Sequence, residues 1–299
     1  MNQNSKCGCA ADCGSSTSAF PPQHQDRQPG LEYRMVPLPE SECRRPGRRL
    51  ENKTALITGG DSGIGRAAAY DFVKEGASVA IVYYDEKEDA DRTAARIGEL
   101  GGRCLLLCGD LKDPCFAKHC VDRTIECFGK LDILVNNHAV QFVQRSILDI
   151  SHEQLELTFR NNVFSFIYLI QYALPYMKRG GSIINTTSVT AYQGNKELID
   201  YSAAKGAIVS LTRSLALSLA EKGIRVNGVA PGPIWTPLIP ASFSAEEVAS
   251  FGKKTSPVPM GRAGQPCEVS PCYVFLASDD SCYMTGQVLH PNGGTIVGA

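Results

Sequence analysis

Ser188, Tyr201 and Lys205 are the side chains best placed by type and spacing to do chemistry together. Ser188 closes an apolar run, and Tyr201 and Lys205 follow four residues apart in Y-S-A-A-K. On a helix that spacing puts both side chains on one face, one turn apart. An ammonium beside a phenol favours the phenolate and lowers the tyrosine pKa, which suits the phenol to proton transfer near neutral pH. The same spacing recurs at Tyr70/Lys74, Tyr83/Lys87 and Tyr192/Lys196, so context has to choose. Tyr83/Lys87 straddles the end of a strand and an acidic turn. Tyr70/Lys74 lies on the helix after a glycine loop. Tyr192/Lys196 encloses Gly194 and Asn195, which break a helix. Tyr201/Lys205 alone opens a long helical pattern behind a strand that ends in a hydroxyl side chain.

The elements that must position these residues alternate along the chain. Strands are expected at T-A-L-I-T, S-V-A-I-V-Y, C-L-L-L-C, L-D-I-L-V-N-N, S-I-I-N-T-T-S and R-V-N-G-V-A. Helices are expected over 63–75, 88–100, 113–128 and 151–177, and from Tyr201 onward. Asp113 is placed to cap the third of these, with Pro114 at its first position. Strands alternating with helices imply parallel crossovers, and continuously apolar strands imply helices on both faces. The expected fold is therefore α/β, a single doubly wound parallel sheet of the Rossmann type.

The first crossover carries T-G-G-D-S-G-I-G, residues 58–65. Gly59 allows the tight turn, Gly63 lets the backbone approach a pyrophosphate, and Gly65 lets helix and strand pack closely. With Asp61, Ser62 and Ile64 they lead into a helix N-terminus, whose free N–H groups favour an anion. A dinucleotide would have its adenosine ribose read at the end of the second strand, where Tyr83 stands, with Asp85 two residues on. Neither is a decisive acid or base there, so NADP and NAD both stay open. Asp110, followed by Leu111 after the third strand, is placed for the adenine edge, and Asn136 for the loop beneath the cofactor.

The chain has 299 residues and a formal charge of -1, with 43% hydrophobic and 20% charged residues. That balance gives no field to attract nucleic acid or an acidic membrane. No apolar run is long enough to span a bilayer, and the N-terminus lacks a secretory core, so a cytoplasmic protein is expected. Residues 1–50 are polar and proline-rich and read as an extended, largely irregular arm, with 51–299 as the folded domain. Leu31, Tyr33, Met35, Val36 and Leu38 are candidates to pin the arm down, and Arg44, Arg45, Arg48 and Arg49 form a basic cluster best read as solvated linker. Most of the 12 cysteines sit in regular elements and are expected as small buried residues, Cys104, Cys108, Cys120 and Cys127 among them. Cys7, Cys9 and Cys13 fall in a glycine-rich tail without a matching ligand pair, so no metal is expected.

Taken in order, T-G-G-D-S-G-I-G, G-D-L, L-V-N-N, Ser188 before Y-S-A-A-K, and R-V-N-G-V-A-P-G-P-I-W-T resemble the short-chain dehydrogenase/reductase family over 52–299. The arm, the G-G-D-S-G loop and the ending G-Q-V-L-H-P-N-G-G resemble its N-terminally extended bacterial subgroup of NADP-linked aldehyde reductases and general stress oxidoreductases. The resemblance implies Tyr201 as acid/base, Lys205 lowering its pKa and holding the nicotinamide ribose, and Ser188 bonding the substrate oxygen. It implies that Asn162, or its neighbour Asn161, positions a water on a proton relay. It places Pro231, Gly232, Ile234 and Thr236 at the nicotinamide end, and it implies a homotetramer, for which the wide apolar surface of 151–177 offers a face. The chain departs at Asn137-His138-Ala139-Val140, where the family usually has N-A-G. His138 is thus a bulky residue near the cofactor, either a substituted loop residue or a second proton donor. The expected activity is reversible hydride transfer between a nicotinamide and a small carbonyl or alcohol. Two rivals are an enzyme of the same fold with another reaction, and a non-catalytic nucleotide sensor switched by its cysteines. The proline- and serine-rich segment 235–262, with Phe243 and Phe251 as anchors, is expected to form a substrate lid.

Overall fold

The computed structural model describes residues 20–41 and 48–298. Cys7, Cys9, Cys13, Arg44 and Arg45 lie outside the described residues. Seven parallel strands form one sheet in the order β3-β2-β1-β4-β5-β6-β7. They are β1 (Thr54–Thr58), β2 (Ser78–Tyr83), β3 (Cys104–Cys108), β4 (Ile133–Asn136), β5 (Ser182–Thr186), β6 (Arg225–Val229) and β7 (Val288–Leu289). The order reverses at the β1/β4 boundary, where Ala55, Leu56 and Ile57 pair with Ile133, Leu134 and Val135. A ligand crevice is expected there, outside the carboxyl ends of the strands.

The helices are α1 (Gly63–Lys74), α2 (Lys87–Glu99), α3 (Pro114–Phe128), α4 (His152–Phe159), α5 (Ser165–Ala173), α6 (Thr190–Gln193), α7 (Ile199–Leu219), α8 (Ala245–Ala249) and α9 (Pro266–Ala277). They cover both faces. One core joins Ile57, Ile81, Val135 and Ile184 to Phe72, Tyr273 and Leu276 on α1 and α9. The other joins Leu56, Val82, Leu134 and Ile183 to Val121, Leu169 and Leu219 on α3, α5 and α7. Asp113 caps α3 as expected, its carboxylate accepting from Cys115 N at 2.8 Å. The C-terminal pair α9 and β7 was not read from the sequence. Pro271 inside α9 and the two-residue length of β7 hide both patterns.

The expected helix over 151–177 is interrupted. A π-helical turn, Arg160–Phe164, joins α4 to α5 and contains Asn162. Such turns insert one extra residue into the helical path and are frequent at functional sites. Of the cysteines expected inside, Cys120 is buried and Cys104 half-buried, but Cys108 and Cys127 are exposed. Both lie at the ends of their elements, where alternation and periodicity no longer dictate burial.

Part of the arm packs on the body. Leu31 and Met35 are buried, while Val36 and Leu38 stay exposed. Phe20 stacks on the buried Trp235 with ring centroids 4.0 Å apart, and the indole N–H of Trp235 donates to Pro37 O at 3.0 Å. Glu32 is 1% exposed. It accepts from Gly63 N at 2.5 Å and pairs with Arg66 on α1. These contacts carry the arm across the open edge of the crevice.

Candidate active site

Tyr201 and Lys205 lie on the buried face of α7, with Ile208, Thr212, Ala216 and Leu219 continuing it. The helix is fixed at its start by Asp200, which accepts from Thr158 Oγ1 at 2.7 Å and from Gln154 Nε2 at 3.0 Å. Ser188 sits two residues beyond β5. Its hydroxyl oxygen accepts from Thr190 N at 3.2 Å and Thr190 Oγ1 at 3.0 Å, and it lies beside the Tyr201 phenol, where a hydrogen bond favours the phenolate. Thr190 was missed in the sequence, because nothing in its spacing marks it as the tether of Ser188. Lys205 is fully buried. Its Nζ donates to Thr186 O at 2.8 Å and lies 5.6 Å from the Tyr201 ring centroid and 5.3 Å from that of Phe166.

The expected fall in the tyrosine pKa is reversed in this structure. Burial pushes Tyr201 up to about 12, against the pull of Ser188, and burial pushes Lys205 down to about 7. Desolvation disfavours the charged form of each, so both groups drift toward neutrality rather than toward an ion pair.

Ser188, Tyr201 and Lys205 open on one cavity of about 1290 Å³ that is lined at one end by the glycine loop and elsewhere by residues of the 235–262 segment, Phe243 and Phe251 among them. Gly59, Asp61, Ser62, Gly63 and Ile64 line it, as do Tyr83, Asp110, Leu111 and His138. Pro231, Gly232, Ile234 and Thr236 line it as well, and Thr236 lies against Gly63 of the glycine loop. Gly65 lies behind the loop, where a Cβ would come 2.0 Å from Gly59 O, so it serves close helix–strand packing. Gly59 and Gly63 have positive φ, 60° and 51°, a conformation that favours glycine; their N–H groups donate to Val82 O at 2.8 Å and to the Glu32 carboxylate at 2.5 Å. The Cβ that Gly232 lacks would stand 2.7 Å from Asn292 Cα. A glycine-rich loop between β1 and α1, at the switch point of the sheet, and a long crevice fit a dinucleotide.

Three expected residues sit elsewhere. Asp85 lies outside the lining and is half exposed, paired with Arg27 at 2.5 Å. Strand alternation stops at Tyr83, and the following turn points Glu86 inward in its place. Asn136 is fully buried under the crevice, its Nδ2 donating to Asn185 Oδ1 at 2.9 Å. Asn162 does not line the cavity. Its side chain accepts from Val140 N at 3.1 Å and donates to Val140 O at 2.9 Å, clamping the loop after β4. Asn161 reaches the cavity wall.

His138 is held in a chain of hydroxyls. Its Nδ1 lies 2.8 Å from Thr58 Oγ1 and its Nε2 2.9 Å from Ser165 Oγ; Ser165 Oγ donates onward to Asn161 O at 2.5 Å. Burial, then the charge of Lys205, pushes its pKa down to about 3. It is neutral at physiological pH. Asp61 is raised to about 7 by burial and by the neighbouring Glu86, and Glu86 is raised by its own burial.

The doubly wound sheet, the glycine loop at its switch point and the serine–tyrosine–lysine set define a nicotinamide-dependent oxidoreductase. A family model described as enoyl-(acyl carrier protein) reductase matches residues 59–295. The uncharacterised oxidoreductase YhxC of Bacillus subtilis is 58% identical over 278 residues, 93% of this chain and 96% of that protein. NADPH-dependent aldehyde reductase 1, chloroplastic, of Arabidopsis thaliana is 52% identical over 292 residues, 93% and 98% of the two chains. A solved short-chain dehydrogenase of Burkholderia cenocepacia in complex with NADP superposes with a TM-score of 0.75 at 32% identity, covering 83% of this chain and 99% of that one. The chain belongs to the short-chain dehydrogenase/reductase family. It is an NAD(P)-dependent oxidoreductase acting on a small molecule, and among the described residues no helix is long and apolar enough to cross a membrane.

Proposed function

We propose that this chain is a reversible carbonyl reductase, with aldehydes as its first substrate class and NADPH as its working cofactor. The observation that carries the reading is Ser188, Tyr201 and Lys205 facing the same cavity as the glycine loop. An Arabidopsis relative named as an NADPH-dependent aldehyde reductase and a neighbour solved with NADP support the cofactor and substrate class. Ile239, Phe243 and Phe251 give the substrate end apolar walls, suited to a compact, weakly polar aldehyde.

The bound nicotinamide supplies the hydride. Ser188 and Tyr201 hold the carbonyl oxygen, and Tyr201 donates its proton to that oxygen; in the reverse direction the phenolate takes it back. Lys205, kept in place by Thr186 O, stabilises the phenolate. Asn162 holds the loop after β4 through Val140 and so acts as a positioning residue. Gly59, Asp61, Ser62, Gly63, Ile64 and Gly65 shape the pyrophosphate cradle, with Asp110 and Leu111 at the adenine end.

The reading extends to organisation and place. Residues 51–299 form the catalytic domain and 1–50 an arm added to it. Half-exposed Leu155 on α4, Phe164 in the π-helical turn and Tyr176 just past α5 support a homotetramer. Eight described cysteines without a disulfide support a cytoplasmic setting.

The test is oxidation of NADPH, and separately of NADH, with a panel of aldehydes and ketones, comparing wild type with Tyr201→Phe. The variant is expected to keep cofactor affinity while turnover falls ~10²–10⁴-fold, the range of a general acid. Unchanged turnover in the variant refutes the assignment. Tight nucleotide binding with no carbonyl reduced by the wild type favours a nucleotide sensor.

A further inference from the structure

The end of the cavity suited to an adenosine half is assembled from three segments. Strand β2 ends in Tyr83 and is followed by Tyr84, and neither carries a charge that would tell a ribose 2′-hydroxyl from a 2′-phosphate. The glycine loop and the turn after β2 bring Asp61, Ser62 and Glu86. The third contribution comes from the arm, which lays Arg27 along the same wall.

Arg27 is fixed there. On one side Gln25 N donates to Pro240 O at 2.7 Å, and His24 Nδ1 lies 2.5 Å from Phe243 O. On the other, the Gln28 amide donates to Gln141 O and, at 3.1 Å, to Ala241 O, and Glu32 holds the N-terminus of α1. The Arg27 Nε donates to Pro29 O at 2.7 Å, which leaves the terminal nitrogens to face outward from the arm. Nη2 lies 2.5 Å from Asp85 Oδ1 and 3.8 Å from Glu86 Oε1. That Glu86 oxygen is buried and has no hydrogen-bond partner among the described residues, while its other oxygen accepts from Tyr84 N and Asp85 N at 3.1 Å each. Lys112, also on the wall, is engaged by Asp110 at 3.3 Å on the β3 side.

We propose that Arg27, delivered by the arm rather than by the sheet, is the residue that admits an adenosine 2′-phosphate to this site, with Asp85 as the resting partner that the phosphate replaces. The inference rests on the reading of the cavity as a dinucleotide site. A guanidinium offers paired N–H donors matched to phosphate oxygens. It also offsets carboxylates that would otherwise repel a phosphate. Without Arg27 this end holds Asp61 and Glu86, with Asp85 just outside the lining, carboxylates able to accept from ribose hydroxyls and hostile to a dianion. Selectivity for NADPH over NADH is therefore carried by a segment that precedes the first strand.

Calorimetric titration of the full-length protein with NADPH and with NADH, without substrate, tests this. Arg27→Ala is expected to weaken NADPH roughly 10- to 100-fold, the worth of a charge-assisted hydrogen-bonded contact, and to leave NADH affinity unchanged, so that the preference inverts. Arg27→Lys should restore part of the loss, and Asp85→Asn should tighten NADPH by freeing the guanidinium. Retained NADH binding shows that the variants are folded. Loss of both nucleotides alike in Arg27→Ala and Arg27→Lys, or an unchanged NADPH/NADH ratio, overturns the proposal. A wild type that binds neither nucleotide overturns the dinucleotide reading and the proposal with it.

Discussion

Replacing His138 by alanine, the residue the family pattern places there, has a pH signature that follows from the site. The imidazole bridges Thr58 and Ser165 at 2.8 and 2.9 Å, packs 5.2 Å from the Phe166 ring centroid, and is held neutral with its pKa near 3 rather than the ordinary 6.5. At pH 7.5 both folded and unfolded chains carry it uncharged, and His138→Ala loses only packing and two hydroxyl bonds, roughly 1–3 kcal/mol. Below pH 6.5 the unfolded wild type binds a proton that the folded one refuses. Because the folded pKa is depressed, the stabilisation is full above 6.5 and is lost as pH falls toward 3. At pH 5 the linkage relation gives a loss of about 2 kcal/mol, taken down to about 1–2 kcal/mol because the ring is only partly enclosed. The variant has no such proton to bind. Urea unfolding of both proteins at pH 7.5 and pH 5 should therefore show the stability gap between them shrinking by that amount. Two curves that fall in parallel refute the claim that His138 is held neutral.

Asn162→Ala strands the N–H and C=O of Val140 in a fully buried position. A loss of roughly 2–4 kcal/mol is expected from two buried unpaired groups, read as a lower urea midpoint with turnover falling as the loop shifts; an unchanged midpoint would contradict the clamp. Sizing in solution should give a tetramer, and a clean monomer would remove the role assigned to Leu155, Phe164 and Tyr176.

Legibility followed the range of the interaction. The sheet, α1 and the glycine loop were readable because each depends on local patterning. Apolar strands bury both faces, and Gly59, Gly63 and Gly65 answer local backbone needs. The shared helix of Tyr201 and Lys205 was also readable, as was the break at Gly194, which ends α6 and parts Tyr192 from Lys196. What failed to show was set by tertiary contact. The π-helical turn at 160–164 has no sequence period of its own. Asp85 was expected inside because alternation was carried one turn past the end of β2, and Glu86 took its place. The arm read as irregular, and its described residues contain no regular element beyond one 3₁₀ turn, Glu32–Arg34. Its order comes from Glu32, Gln28 and Phe20 finding partners between about 31 and 215 residues away, a separation no window of sequence can see.

The same distinction bears on the Tyr201/Lys205 pair. Reading the two residues one turn apart predicts that the ammonium lowers the phenol pKa, which assumes a charged lysine. Full burial removes that assumption, since a Lys205 with pKa near 7 carries its charge only part of the time at neutral pH, and a phenol near 12 stays protonated. The protein alone therefore holds Tyr201 protonated, the form that the proposed carbonyl reduction needs of it. The phenolate needed for alcohol oxidation requires Lys205 to be charged and a further positive charge nearby, which the oxidised nicotinamide supplies on binding. His138 fits the same logic. A cationic imidazole beside Lys205 would push that lysine further toward neutrality, and burial between Thr58, Ser165 and Phe166 keeps the ring uncharged. On the proposed mechanism, the direction the site is ready to run is thus set by the charge on the cofactor, not by the helix spacing that first marks the pair.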